Sequence, residues 1–212
     1  MKRALLIIAV LAICFGMMSC GSASKSYLDR GGEIVETVSQ MVKNEDYAKA
    51  MLGNVGLYDE VLEKVKNVDF TKTAAVYELS FPEEDLLKEL VARNGSIDNL
   101  SRPLKDKLIS GIGSSIASHV NSKAGSGNVI VSSVFSASKV FVDKNIKENK
   151  YLLYVFEPGC SMLISLIPNE DGAVAATGVL ILNEDLVCES ADQVTASFKT
   201  LGLDSITANK IK

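Results

Sequence analysis

Two segments in the last third of the chain, Cys160–Ile167 and Ala173–Leu182, are apolar on both sides of an extended backbone. Side chains alternate between the faces of a strand. One face would therefore carry Met162, Ile164, Leu166, Val174, Ala176 and Leu180, and the other Leu163, Ile167, Ala175, Val179 and Ile181. A sheet with one face in water alternates apolar and polar residues more cleanly. This one needs cover on both sides. Helices can supply one cover; the remaining chain, a second copy of the chain in a homodimer, or a ligand must supply the other.

The neighbouring segments fit the same sheet. Asn128–Asp143 reads as one long or two short strands, and Tyr151–Glu157 as another. Glu157-Pro158-Gly159 and Pro168-Asn169-Glu170-Asp171-Gly172 supply turn residues between strands. Connections this short predict an antiparallel meander. Ser190-Ala191-Asp192-Gln193 has the spacing of a capping box and opens a last helix that stops near Gly202.

The first half is mainly helical. Ile34, Val38, Met41 and Val42 form one stripe, with Gly31-Gly32 placed just before the helix. Asn44-Glu45-Asp46 opens a second helix to Leu52, and Leu57–Asn67 a third. Thr73–Phe81 has period two and is a strand. Another helix follows Pro82. Blocks of helix and then strand make the class α+β, in a single domain spanning 27–212.

A further helix, Pro103 to about Asn121, has an unusual surface. Leu108, Ile112, Ile116 and Val120 form an i,i+4 row, the opposite face is small, and 108–122 holds no Asp, Glu, Lys or Arg. An exposed helix normally carries charge on its outer face. This helix is therefore central and packed through its small residues, or it lines a ligand cavity or partner surface through Leu108, Ile112, Ile116 and the chain's one histidine, His119.

The N-terminus has a separate logic. Lys2 and Arg3 precede an uncharged apolar run, Ala4–Gly16, which ends in Met17-Met18-Ser19-Cys20. A charged start, a short apolar core and a small residue before the break are the parts of an export signal. The run is short for a membrane span. Met17–Cys20 resembles the lipobox of bacterial lipoproteins, with Met where Leu is usual. The resemblance implies removal of 1–19, acylation of Cys20 (palmitate included) and a cell-envelope location outside the cytoplasm. Residues 20–26 would then be a tether: Gly21–Ser26 reach about 20 Å at ~3.3 Å per residue. The membrane would be a partner through the lipid.

Composition excludes more than it selects. The formal charge is −4, and it falls to −6 once Lys2 and Arg3 leave with the signal. With no basic cluster, nucleic acid is not a partner. Cys160 and Cys188 are the thiols left besides the lipidated one, and their spacing is not that of a metal site. If Ile167 pairs with Ala173, Cys160 lies opposite Leu180 and Cys188 can fold back to bridge it. Otherwise the two are separate buried thiols.

Catalytic signals are thin, and no cofactor or metal is implied. Ser136-Ala137-Ser138-Lys139 spells the Ser-x-x-Lys of penicillin-binding proteins and class A β-lactamases, but in a strand pattern and without the companion motifs. Glu83-Glu84-Asp85, Glu170-Asp171 and Glu184-Asp185 lack the order of a calcium loop. Two functions follow: a non-catalytic envelope lipoprotein that binds a protein or an apolar small molecule, or a lipid-anchored envelope hydrolase using acidic residues.

Overall fold

Ser26 starts the first helix. Its hydroxyl accepts a hydrogen bond from the Asp29 N–H at 3.2 Å, and its own N–H donates to the Asp29 carboxylate at 3.0 Å. This reciprocal box satisfies two backbone donors that the first turn would otherwise leave open. The computed structural model describes residues 26–52, 58–80, 129–200 and 205–212. Within them α1 spans Tyr27–Lys43, α2 Glu45–Leu52 and α3 Tyr58–Val65. Asn44 separates the first two helices and caps α2 by accepting from the Tyr47 N–H at 2.9 Å.

Helix α1 passes through Gly31 and Gly32, which the sequence placed ahead of it. A helical glycine costs up to ~1 kcal/mol relative to alanine. At Gly31 the reason is close approach: an added Cβ would lie 2.5 Å from the Tyr154 hydroxyl oxygen. That hydroxyl donates to the Leu28 carbonyl at 2.8 Å, so the helix rests directly on the sheet. Gly178 meets the same helix from below, where an added Cβ would run into Ile34 Cγ2.

Among the described residues the sheet has six strands: β1 Ala75–Ser80, β2 Val129–Val142, β3 Lys150–Glu157, β4 Cys160–Pro168, β5 Ala173–Asn183 and β6 Thr207–Lys210. Helix α4, Ala191–Thr200, precedes β6 and is capped by the Ser190 hydroxyl. The fold is α+β. Strands lie in the order β2-β5-β4-β3-β1-β6, and every pairing is antiparallel.

Strands β3, β4 and β5 form the expected meander. Strand β2 departs from it by crossing to pair with β5, the arrangement of a Greek key. It is one long strand with an irregularity between Ser132 and Ser136. Strand β6 had no signal in the sequence; it closes the sheet against β1, with Tyr77 opposite Lys210.

The register of β4 and β5 differs by two residues from the simplest reading: Ile167 faces Ala175 and Cys160 faces Leu182. The turn is tighter than its composition suggests. The Asn169 side chain accepts from the N–H groups of Asp171 (3.1 Å) and Ala173 (2.8 Å), and Gly172 takes the left-handed φ of 79°. This is a three-residue hairpin loop ending in a left-handed residue.

Both faces of the sheet carry a core. On the first, α1 packs Ile34, Val38 and Val42 over Met162, Ile164, Leu166, Val174, Ala176 and Leu180. Phe70 meets Phe156 edge to face at 4.9 Å. On the second, Val194 and Phe198 of α4 cover Tyr77, Leu153, Leu163, Val179 and Ile181. Each such side chain contributes about 1.5–3 kcal/mol when fully buried. The two-sided apolar pattern of β4 and β5 is thus met by helices on both faces.

Candidate functional site

One end of the sheet gathers most of the polar chemistry. It holds Ser26, the β2–β3 loop (143–149) and the β4–β5 turn. The loop must cross the ends of β5 and β4 to carry the chain from β2 to β3. Asp143 fixes its start: its N–H donates to the Gly172 carbonyl at 3.0 Å. Its nearly buried carboxylate accepts from Arg30 Nε at 3.0 Å and from the Asn145 N–H at 3.1 Å. Burial alone would raise the Asp143 pKa, but the bonds from Arg30 and Asn145 outweigh it and hold the carboxyl below its ordinary value. Arg30 also pairs with Glu33 at 3.3 Å, and its guanidinium lies 4.7 Å over the Phe141 ring.

A second cluster sits beside it. Lys150 Nζ donates to Glu78 at 2.7 Å and stands 5.3 Å above the Tyr27 ring, while the Tyr27 hydroxyl makes a long 3.4 Å bond to the same carboxylate. The Glu78 bond outweighs desolvation and raises the Lys150 pKa. Tyr27 is raised too, by burial first and the Glu78 charge second. The cluster therefore carries a fixed ion pair and a neutral phenol near neutrality.

An open hollow of about 510 Å³ lies against Tyr27, Lys150 and the loop, and a second of about 580 Å³ lies between the loop and the β4–β5 turn. They share Ile146 and Lys147.

Across the sheet from α1, the same end is apolar. Val140 pairs with Ala175, which pairs with Ile167, and Val142 pairs with Ala173. Paired residues share a face, so these five form one strip over three strands. Val140 is 71% exposed and Val142 67%, and the other three are partly exposed. The next row, Ser138, Thr177 and Ser165, is polar. Sequence reasoning assigned Ala175 and Ile167 to an apolar face but missed Val140 and Val142. The run Val140-Phe141-Val142 carried the signal: three apolar residues in succession, of which Phe141 alone packs beneath α1.

The sequence candidates fall elsewhere. Cys20, Leu108, Ile112, Ile116 and His119, with Glu83-Glu84-Asp85, lie outside the described residues. Cys160 and Cys188 are free thiols. Of the two readings left open, bridge or separate thiols, the second is the one seen, because the sulfurs belong to opposite cores: Cys160 to the one beneath α1 and Cys188 to the edge of the one beneath α4. An Asn183-centred turn throws the chain onto the second face, where the Cys188 carbonyl accepts from the Tyr77 hydroxyl at 2.8 Å. Burial pushes both thiols up to about 12.

Glu170-Asp171 and Glu184-Asp185 sit in exposed turns. Ser136-x-x-Lys139 lies in β2 rather than on a helical turn. Among the described residues no group of three or more His, Cys, Asp or Glu side chains is placed to hold a metal.

No family model matches the chain, and neither a curated protein nor a solved structure does.

Proposed function

We propose that the chain is a lipid-anchored protein of a bacterial cell envelope, held outside the cytoplasm by an acylated Cys20, and that its α+β domain is a non-catalytic interaction module. The observation that carries this reading is the succession in the sequence. A charged start, an apolar run and a lipobox-like end at Cys20 come only six residues before the helix capped by Ser26.

Further support comes from the Ser26 end. The carboxylates of Asp143 and Glu78 are committed to Arg30 and Lys150, which suits a scaffold better than acid–base chemistry. The open apolar strip beside them suits contact with a partner. Among the described residues no helix is long and apolar enough to cross a membrane.

Metabolic labelling tests the anchor. Wild-type chain expressed with labelled palmitate should carry the label in the membrane fraction, and Cys20→Ala should lose it. Equal labelling of both would overturn the assignment.

A further inference from the structure

The lipid-anchor reading, on which this inference rests, constrains how the domain stands on its membrane. Gly21–Ser26 span at most about 20 Å when fully extended. Ser26 and Lys150 line the same hollow, so the chain enters the fold at the Lys150 end of β3. From there β3 runs seven steps to Glu157, or roughly 23 Å at ~3.3 Å per residue. Leu28 sits over Tyr154 in mid-strand, so an inverted domain, with the β3–β4 turn against the bilayer, would take up most of that tether, whereas the end whose loop shares a hollow with Ser26 leaves it slack. The end holding Ser26, the β2–β3 loop and the β4–β5 turn is the one that faces the lipid.

That end carries the apolar strip. Val140 and Val142 are the most exposed large apolar residues among those described, both at the end of edge strand β2. The strip extends through Ala173, Ala175 and Ile167 and stops at the polar row of Ser138 and Thr177. Two residues along a strand cover about 7 Å, which fits the ~5–10 Å depth at which apolar groups enter the boundary between headgroups and acyl chains. The charges around it are mixed: exposed Lys144 and Lys147 stand beside exposed Glu148, Glu170 and Asp171. Such a rim suits zwitterionic headgroups and does not demand an anionic surface.

We propose that Val140, Val142, Ala173, Ala175 and Ile167 rest on the headgroup–acyl boundary of the membrane that holds Cys20, giving the domain one fixed orientation. The chain contains no tryptophan, so a single introduced indole reports its own surroundings. The full lipidated chain carrying Val142→Trp is reconstituted in phosphatidylethanolamine vesicles containing phosphatidylcholine brominated near the glycerol end of its acyl chains. Glu157→Trp, at the opposite end of the sheet, is the control.

The V142W reporter should shift to the blue and lose most of its emission to the brominated lipid, while the E157W reporter stays accessible to aqueous iodide. Val140→Trp repeats the test at a second exposed site should V142W fold poorly. Equal quenching of both reporters, or of neither, overturns the proposal. So does a V142W reporter shielded from bromine and iodide alike, which would mean that a second copy or another protein covers the strip. Sedimentation with the vesicles and the mass of the acylated N-terminal peptide separate the two levels. Without acylation both readings fail; with it, and without quenching, only the membrane contact does.

Discussion

Beneath α1 the core draws on all five strands from β1 to β5, whereas on the other face the Val140–Val142 end of β2 stands in the open beside a core that includes β1, β3, β4 and β5. The difference does not arise from composition. Phe135 and Ala137 of β2 are buried under α1, while Val140, on the other side of the same strand, is as apolar and stands in the open. A 17-residue helix lies across the first face, and the helix on the second has 10 residues. Cover, rather than hydrophobicity, decides which apolar residues become core. The uncovered remainder is where a surface for another molecule becomes available.

The sharpest way to break this comparison is to empty the cover on the second face. Phe198 is fully buried, and Phe198→Ala should destabilise the fold by about 3–5 kcal/mol in denaturant unfolding, since it removes transfer energy and leaves a cavity. A loss below about 1 kcal/mol would mean that α4 is not a true lid.

An intermediate effect is expected at the latch between α1 and the β2–β3 loop. Asp143→Ala leaves the Arg30 guanidinium, whose side chain is 20% exposed, with Glu33 as its remaining carboxylate, and should cost about 1.5–3 kcal/mol. The folded pKa of Asp143 lies below its unfolded value of about 3.9. Its contribution is therefore complete above that value and disappears as pH falls through the folded pKa. Unfolding curves taken down an acid series should decline less steeply for Asp143→Ala than for wild type. Parallel curves would place the acid sensitivity elsewhere.

The smallest effect belongs to the open strip. Val140→Ser combined with Val142→Ser should change stability by less than about 0.5 kcal/mol, because both positions are exposed before and after. A larger loss in the purified protein would show that a second subunit already covers them.

Much of this architecture was legible in the sequence, because periodicity records burial. The two-sided apolar pattern of β4 and β5 announced two covers, and the alternation in β1 announced a strand. What escaped has particular causes. The start of α1 was hidden because Gly31 weakens a helix locally, and its benefit appears only when Tyr154 arrives from far along the chain. The β4–β5 register was set by one asparagine side chain reaching two backbone donors, which composition does not reveal. Strand β6, Thr207–Lys210, has no apolar alternation and exists because β1 offers it an edge. The open strip left only the run Val140-Phe141-Val142 in the sequence, and that two of these residues stand open depends on where a distant helix lies.

The placement of the two thiols has a bearing on timing. In the folded chain a full sheet stands between Cys160 and Cys188, and both are held protonated by burial, so neither is a ready nucleophile. Before folding neither protection exists. If the chain is delivered unfolded to the oxidising side of a membrane, as its N-terminus suggests, an enzyme that oxidises thiols meets two ordinary cysteines in a flexible chain. A bridge formed then would pull together residues destined for opposite cores, and the native sheet could not close around it. Under the proposed export, productive folding of this domain would be a race against oxidation, in which every residue that speeds formation of the β3–β4–β5 meander also preserves the reduced state.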